Sequence, residues 1–231
     1  MLGIIGAMEE EVISIKRRMQ VRSKDEMAGM TFFVGTMDDT EVVVVQSGIG
    51  KVNAAICTQI LVDKYDVKCV INTGVAGGLH PCLNIGDIVV SSDTVEHDMD
   101  ASAVGNPRGE IPRLAKTFFE ADDKLVNIAK KAAENLKGDH KVYVGRVASG
   151  DQFICSMKVK EDIYETFTAY CAEMEGAAIA HTCYLNNIPF VIIRAISDKA
   201  DQSADVNFEE FVDIAAHNAS KMICEMVKEM V

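Results

Sequence analysis

The stretch Val191-Ile192-Ile193-Arg194-Ala195-Ile196-Ser197-Asp198 is too short for a helix, rich in β-branched side chains and closed by a Ser-Asp pair. That is the pattern of a strand buried on both faces. Its one charge, Arg194, would be costly there without a partner, so a carboxylate or a ligand has to meet it. Asp198, at the carboxyl end, reads either as the cap of a following helix or as a site residue. Residues 199–206 are polar and show no helical stripe before Phe208, so spacing alone leaves both readings open.

Working outward, the Val191 run begins at residue 189, and runs of the same kind occupy residues 3–7, 31–35, 41–47, 69–73, 87–91 and 141–148. Helical periodicity alternates with them at residues 9–20, 51–64, 123–137, 158–166 and 175–186. The clearest helix closes the chain, with Phe208, Phe211, Val212, Ala215, Ala219, Met222, Met226 and Met230 at helical spacing. Asn207 with Glu210 predicts a capping-box start for it. The runs at 31–35 and 41–47, joined across Asp38-Asp39-Thr40, read as a hairpin. Strands interleaved with helices, plus one hairpin, predict an α/β fold, a three-layer αβα sandwich with a mixed central sheet. No linker composition or repeat period interrupts the chain, which reads as one domain over residues 1–231.

The chain carries 35 acidic against 23 basic side chains, a formal charge of −12. No Lys/Arg cluster offers a footprint for a phosphate backbone or an anionic membrane, so neither nucleic acid nor membrane is expected as a partner. With 48% hydrophobic and 25% charged residues the composition is that of a folded globular protein. A chain of this length buries roughly 70–75% of its unfolded surface without staples. Seven cysteines, an odd number with no CxxC pair, argue against a disulfide framework or a zinc site and for small buried apolar residues. Charged Glu9-Glu10-Glu11 follow the first strand directly and no run reaches eighteen apolar residues. Neither a signal peptide nor a spanning helix is expected, and the expected location is cytoplasmic.

Three glycine-bearing segments follow strands and are candidate anion cradles: Gly3-Ile4-Ile5-Gly6, Gly48-Ile49-Gly50-Lys51-Val52-Asn53 and Gly74-Val75-Ala76-Gly77-Gly78. The second departs from the dinucleotide fingerprint at Asn53, and no Walker pattern occurs. Tight backbone geometry explains such glycines equally well. Glu9, Glu10 and Glu11 open a helix, where carboxylates complement the dipole. Successive helical side chains diverge by about 100°, so at most one of the three aims into a crevice at the strand end. Glu173 and Glu175 share a side if the backbone there is extended and diverge if it is helical. His97-Asp98-Met99-Asp100 lacks a second ligand cluster, so no metal site is predicted. The piece at residues 96–117, with Gly105, Pro107, Gly109 and Pro112, is longer than an ordinary connection and of the kind that covers a site.

Several stretches together resemble the bacterial 5′-methylthioadenosine/S-adenosylhomocysteine nucleosidases, in order and over nearly the whole chain. They are Gly3-Ile4-Ile5-Gly6-Ala7-Met8-Glu9-Glu10-Glu11, Ser47-Gly48-Ile49-Gly50-Lys51-Val52-Asn53-Ala54-Ala55, Asn72-Thr73-Gly74-Val75-Ala76-Gly77-Gly78, Ser149-Gly150-Asp151-Gln152-Phe153-Ile154, Glu173-Met174-Glu175 and Arg194-Ala195-Ile196-Ser197-Asp198. The resemblance implies a nucleoside phosphorylase fold, a cytosolic homodimer and no metal or organic cofactor. It implies hydrolysis of the N-ribosidic bond of 5′-thioadenosine derivatives to adenine and a 5-thioribose, in methionine salvage and S-adenosylmethionine recycling, with 5′-deoxyadenosine as a further substrate.

By matching position, the resemblance makes Asp198 the acid at purine N7 and Glu11 the group that activates water. Glu175 would anchor the ribose hydroxyls, with Met174 packed on the sugar and Glu173 counted among the substrate-binding residues. Phe153 would stack on adenine while the Ile154 backbone reads its polar edge. Met8, Ile49 and Phe208 would line the sugar and alkylthio pocket, and Ser197 and Arg194 would support Asp198 and Glu175.

The chemistry suits such residues. Breaking the C1′–N9 bond leaves an oxocarbenium-like sugar and an anionic purine, which calls for an acid at the base and a second carboxylate for water on the opposite face. Glu11 and Asp198 each follow a strand's carboxyl end, which puts both at one crevice. Two departures bear on the 5′ end: Val104 and Asn106 stand where the family's long loop usually carries aromatics, and Val75 replaces a frequent serine. A phosphorolytic relative would need positive charge for its phosphate, and Val70-Ile71-Asn72-Thr73 supplies none. The other readings are a nucleosidase for 6-amino-6-deoxyfutalosine and a non-catalytic nucleoside-binding protein.

Overall fold

A computed structural model of the chain describes residues 1–136, 138 and 140–230. Its strands are β1 (Leu2–Gly6), β2 (Gln20–Met27), β3 (Met30–Met37), β4 (Thr40–Gln46), β5 (Cys69–Gly78), β6 (Ile88–Glu96), β7 (Phe119–Glu120), β8 (Val142–Ser149), β9 (Cys171–Glu173) and β10 (Phe190–Asp198). Its helices are α1 (Glu9–Arg18), α2 (Lys51–Tyr65), α3 (Asp123–Asn135), α4 (Met157–Phe167), α5 (Gly176–Asn186) and α6 (Ala204–Lys228).

The strands form one mixed sheet in the order β10-β6-β8-β9-β5-β1-β4-β3-β2, with β7 on β6. Strand β10 also pairs with β5, so β10, β6, β8, β9 and β5 close into a ring from which β1, β4, β3 and β2 extend. Helix α6 packs on β5, β10, α1 and α3, whereas α2 packs on α5. The sheet thus lies between two helical layers, the predicted α/β sandwich. Every residue of β10 is buried, as are Val42 to Val45 of β4, which is what continuous apolar runs covered on both faces require.

Local differences from the expected elements have physical causes. Strand β5 runs on to Gly78 instead of turning after Thr73, because Gly74 to Gly77 stay paired with β10. The strand β2 went unpredicted because its side chains are polar and mostly exposed. It is a charged sheet edge carrying Arg22, Lys24, Asp25 and Glu26, a pattern that discourages edge-to-edge association. It also ends the first helix at Arg18, short of the expected Gln20. The predicted β3–β4 hairpin forms through Asp38 and Asp39, both with positive φ (46° and 65°), as a two-residue turn of matching twist demands.

Helix α6 begins at Ala204, so Asn207 is inside it and not at its cap; Asn207 Nδ2 reaches back to Ser203 Oγ at 2.8 Å. The expected end of α3 at Lys137 lies outside the described residues. Residues 97–118 hold a single 3-10 turn, Ser102–Val104. No helix among the described residues is long and apolar enough to cross a membrane.

Candidate active site

Strands β4, β1, β5 and β10 are parallel neighbours, so the segments leaving their carboxyl ends meet along one rim of the sheet. A cleft opens there. From β1 it receives Met8 and Glu11, from the turn after β4 Ile49, and from β10 Ser197 and Asp198. The segment after β8 contributes Phe153 and Ile154, the β9–α5 corner contributes Glu173, Met174 and Glu175, and α6 contributes Phe208. Of the residues to which the resemblance gives a catalytic, substrate-binding or supporting role, Arg194 alone is not on the wall, lying fully buried beneath it, and Val104 and Asn106 of the long loop do not line the cleft either.

Glu11 is in the first turn of α1, yet its carboxylate turns back over the strand end. Oε2 accepts the N–H groups of Ala7 (2.6 Å) and Met8 (3.0 Å), and Oε1 accepts that of Val75 (3.0 Å). Burial pushes its carboxyl above the ordinary glutamate range, while Arg194 and the three N–H donors pull against that shift. The glycine segments therefore do cradle anions, but the anions are the protein's own. The third holds Glu11 through Val75 N, while on the first strand it is Ala7 and Met8, just past Gly6, that donate; the second holds Glu175 through Gly50 N at 2.8 Å and Asp151 through Lys51 N at 2.8 Å.

Asp198 ends β10 at a register shift opposite Gly77. It is not the cap of α6, which starts six residues later; instead Oδ1 accepts the N–H of Ala200 (2.7 Å) and Oδ2 the hydroxyl of Ser197 (2.9 Å). Burial raises its pKa, and these two donors oppose the rise. A side chain at Gly77 would stand 2.9 Å from Asp198 Oδ1, so the missing Cβ keeps room beside the carboxyl.

Glu173 and Glu175 divide their work because the backbone changes between them from strand to helix. Glu173 turns inward: Oε2 accepts the N–H groups of Glu175 (3.1 Å) and Gly176 (2.7 Å), and the carboxylate also meets Ser149 Oγ and Arg194 Nη2. It starts α5 and pairs the buried arginine. Glu175 keeps one oxygen on Gly50 N and the other 3.5 Å from Arg194 Nη2. Burial and the neighbouring Glu173 push its pKa up to about 7, against the pull of Arg194. One guanidinium thus faces three glutamates, Glu11, Glu173 and Glu175.

Arg194 is steadied by Asn72 Oδ1 (2.6 Å), and it fits because β5 has no side chain at Gly74. A Cβ there would overlap Arg194 Nη1 and stand 2.6 Å from Glu11 Oε1. Phe153 is half-exposed and meets Phe208 edge to face, with ring centroids 5.6 Å apart. The Ile154 side chain is anchored in a small apolar cluster with Ile163, Phe167 and Ala200, which ties this segment to the Asp198 turn.

Sequence reasoning missed Asn72 and Ser149 as supports of the buried charge. Both lie inside quoted motifs, and a polar residue within an otherwise apolar strand is the signal that would have marked them. The backbone donors on Glu11 have no side-chain signature at all.

The profile of the phosphorylase superfamily matches residues 1–228. The 5′-methylthioadenosine/S-adenosylhomocysteine nucleosidase of Exiguobacterium sp. is 44% identical over 230 residues, 99% of this chain and 98% of that one. The solved structure of the nucleosidase of the same name from Neisseria meningitidis, in complex with methylthio-immucillin-A, matches with a TM-score of 0.95 at 40% identity, covering 98% of each chain. A futalosine hydrolase of Helicobacter pylori matches with a TM-score of 0.93 at 36% identity, over 99% of this chain and 97% of that one.

Proposed function

Because the chain belongs to the phosphorylase superfamily, and within it to the 5′-methylthioadenosine/S-adenosylhomocysteine nucleosidases, we propose that its cleft hydrolyses the N-ribosidic bond of these two nucleosides to adenine and the 5-thioribose. The observation that carries this reading is the convergence of two buried carboxyls, Glu11 and Asp198, on one cleft from opposite ends of the chain.

Asp198, its pKa raised by burial, donates a proton to purine N7 and neutralises the departing base. Glu11 takes the proton of the attacking water. A carboxylate offers about four lone-pair positions. Glu11 Oε2 uses two on Ala7 and Met8 and Oε1 uses one on Val75, which leaves one position on Oε1 for water. Glu175 Oε2 accepts from the ribose 2′- and 3′-hydroxyls, Met174 packs on the sugar, and Met8, Ile49 and Phe208 line its 5′ side. Phe153 stacks on adenine and the Ile154 backbone reads its polar edge. Ser197 and Arg194 act as supports, and Glu173 sets the start of α5 that presents Glu175.

Water, not phosphate, is the nucleophile in this reading. Among the described cleft-lining residues there is no Lys or Arg, and Arg194 lies fully buried beneath them with its Nη2 on Glu173 and Asn72. A phosphate would meet carboxylates with no cation to balance it. The 5′ end is the permissive end. None of residues 97–118 lines the cleft, so the loop holding Val104 and Asn106 adds no wall at that end, and 5′-deoxyadenosine is a further substrate in this reading. The likeness to a futalosine hydrolase favours a second reading in which the 5′-substituent is that of 6-amino-6-deoxyfutalosine. Turnover compared across 5′-substituents separates the two.

In this proposal residues 1–231 act as one nucleosidase domain, in the cytoplasm, as a homodimer, in methionine salvage and S-adenosylmethionine recycling. Incubation with methylthioadenosine in phosphate-free buffer, with adenine followed by absorbance, tests the central step. Adenine should appear with free methylthioribose. Release that requires added phosphate and yields a ribose 1-phosphate would overturn the reading.

A further inference from the structure

We propose that Lys51, Asp98 and Asp151 form a polar brace that holds the adenine-stacking segment at a fixed distance from the ribose-anchoring turn, and that these three are positioning residues for the reaction. The inference rests on the nucleosidase reading above and goes beyond it, since none of the three lines the cleft.

The brace is a closed circuit. Asp151 N donates to Asp98 Oδ2 (3.0 Å), Lys51 Nζ donates to Asp98 Oδ1 (2.7 Å), and Lys51 N donates to Asp151 Oδ1 (2.8 Å). It joins three segments far apart in sequence: the start of α2, the turn after β6 and the turn after β8. Two of its corners adjoin groups assigned to different parts of the nucleoside, and Asp98 ties those two together. Gly50, next to Lys51, donates to Glu175, the ribose anchor. Phe153, the adenine platform, is two residues from Asp151.

A second strut runs to α5. Lys51 Nζ also reaches Glu96 Oε2 (3.1 Å), and Glu96 Oε1 meets His181 Nδ1 (3.1 Å) on the helix that Glu175 precedes. Asp151 is exposed, but the Lys51–Asp98–Glu96 part is partly sheltered, with side-chain exposures of 20% for Lys51, 21% for Asp98 and 9% for Glu96, so it is not a freely solvated surface pair. The corner is also close-packed. Gly50 has φ of +98°, and a Cβ there would stand 3.1 Å from Asp151 Oδ1.

A nucleoside touches both sides of the brace at once, whereas free adenine touches the base side alone. Fixing two half-sites at the right separation makes engagement of the second part effectively intramolecular, and small misplacements at a reacting centre cost large factors in rate. Loosening the brace should therefore penalise nucleoside turnover far more than adenine binding. A role confined to shaping the base loop would penalise both alike.

The test compares the full-length wild type with Lys51→Met, Lys51→Arg and Asp98→Asn in methylthioadenosine hydrolysis, in product inhibition by free adenine, and in Tm. Expected in Lys51→Met is a fall in kcat/KM of roughly tenfold or more, with adenine inhibition within about twofold of wild type. Lys51→Arg should restore part of the loss. If Lys51→Met melts without a cooperative transition, the near-isosteric Asp98→Asn carries the same expectation. Adenine inhibition that weakens in step with kcat/KM, or an unchanged kcat/KM in both variants, would overturn the brace. No adenine release by the wild type would overturn the nucleosidase reading as well, which separates the two failures.

Discussion

The proposed mechanism asks Glu11 and Asp198 for opposite protonation states inside one cleft, and the groups that each accepts from differ accordingly. Glu11 takes three backbone N–H groups and feels Arg194, all of which favour the anion. Asp198 takes one N–H and one hydroxyl, feels Lys160 without a direct ion pair, and is pushed further up by Asp201, so burial acts on it against fewer donors. Glu11→Gln and Asp198→Asn are each expected to keep the fold and to lower kcat by about 10²–10⁴-fold, read from adenine release beside a circular dichroism melt. Near-normal turnover in either would remove that residue from the chemistry.

Glu175, facing Glu173, Glu11 and Arg194, titrates at about 7 against an ordinary 4.5. A carboxyl raised on folding contributes stability that is present below its unfolded pKa and is lost as pH rises through its folded one. The Tm of the ligand-free enzyme should therefore fall more steeply between about pH 5 and pH 8 in wild type than in Glu175→Gln. Ribose hydroxyls donate to the ionised form, so methylthioadenosine affinity should rise over the same interval, with proton release measurable by calorimetry in buffers of different ionisation heat. Equal slopes for the two proteins would place the titration elsewhere.

At the scale of the element, β5 matters most, because its glycine gap is filled by the arginine of β10. Gly74→Ala forces a methyl into Arg194, and overpacking of this kind costs about 1–3 kcal/mol. Differential scanning calorimetry should show that loss, with activity falling too as Arg194 shifts away from Glu173 and Glu175. The β3–β4 turn offers the opposite case. Asp39 sits at φ of +65°, and Asp39→Gly should leave stability unchanged or raise it by up to about 1 kcal/mol.

These elements also show where reading the sequence succeeds. Strands such as β4 and β10 are legible because they are covered on both faces and must be apolar throughout. The charged β2, the three-residue β9 and the two-residue β7 exist because neighbouring strands offer unpaired backbone, which leaves no mark in side-chain pattern. In the same way Asp198 can be picked out as an acid at a strand end, whereas Glu11 is one of three consecutive glutamates that only the resemblance tells apart. That Val75 N would hold Glu11 depends on the β1–β5 pairing, which only the folded sheet supplies.

At the scale of the whole molecule, Val52 and Ile56 are exposed at helical spacing along the start of α2, with Leu185 of α5 also exposed; Val52 is 69% exposed. Helices α2 and α5 pack together, and an apolar stripe on such a pair is of the kind a second copy covers. Sedimentation should give a mass near twice 25.2 kDa at micromolar concentration. Val52→Glu should shift it toward one chain, and a wild-type mass of one chain would count against the dimer.

Finally, the strand-end seats that hold oxyanions in many proteins of this layered type are filled here by Glu11, Glu175 and Asp151. Inorganic phosphate and sulfate should accordingly be poor inhibitors. In the proposed reaction the sugar leaves as a free hemiacetal, with no phosphoryl group on C1.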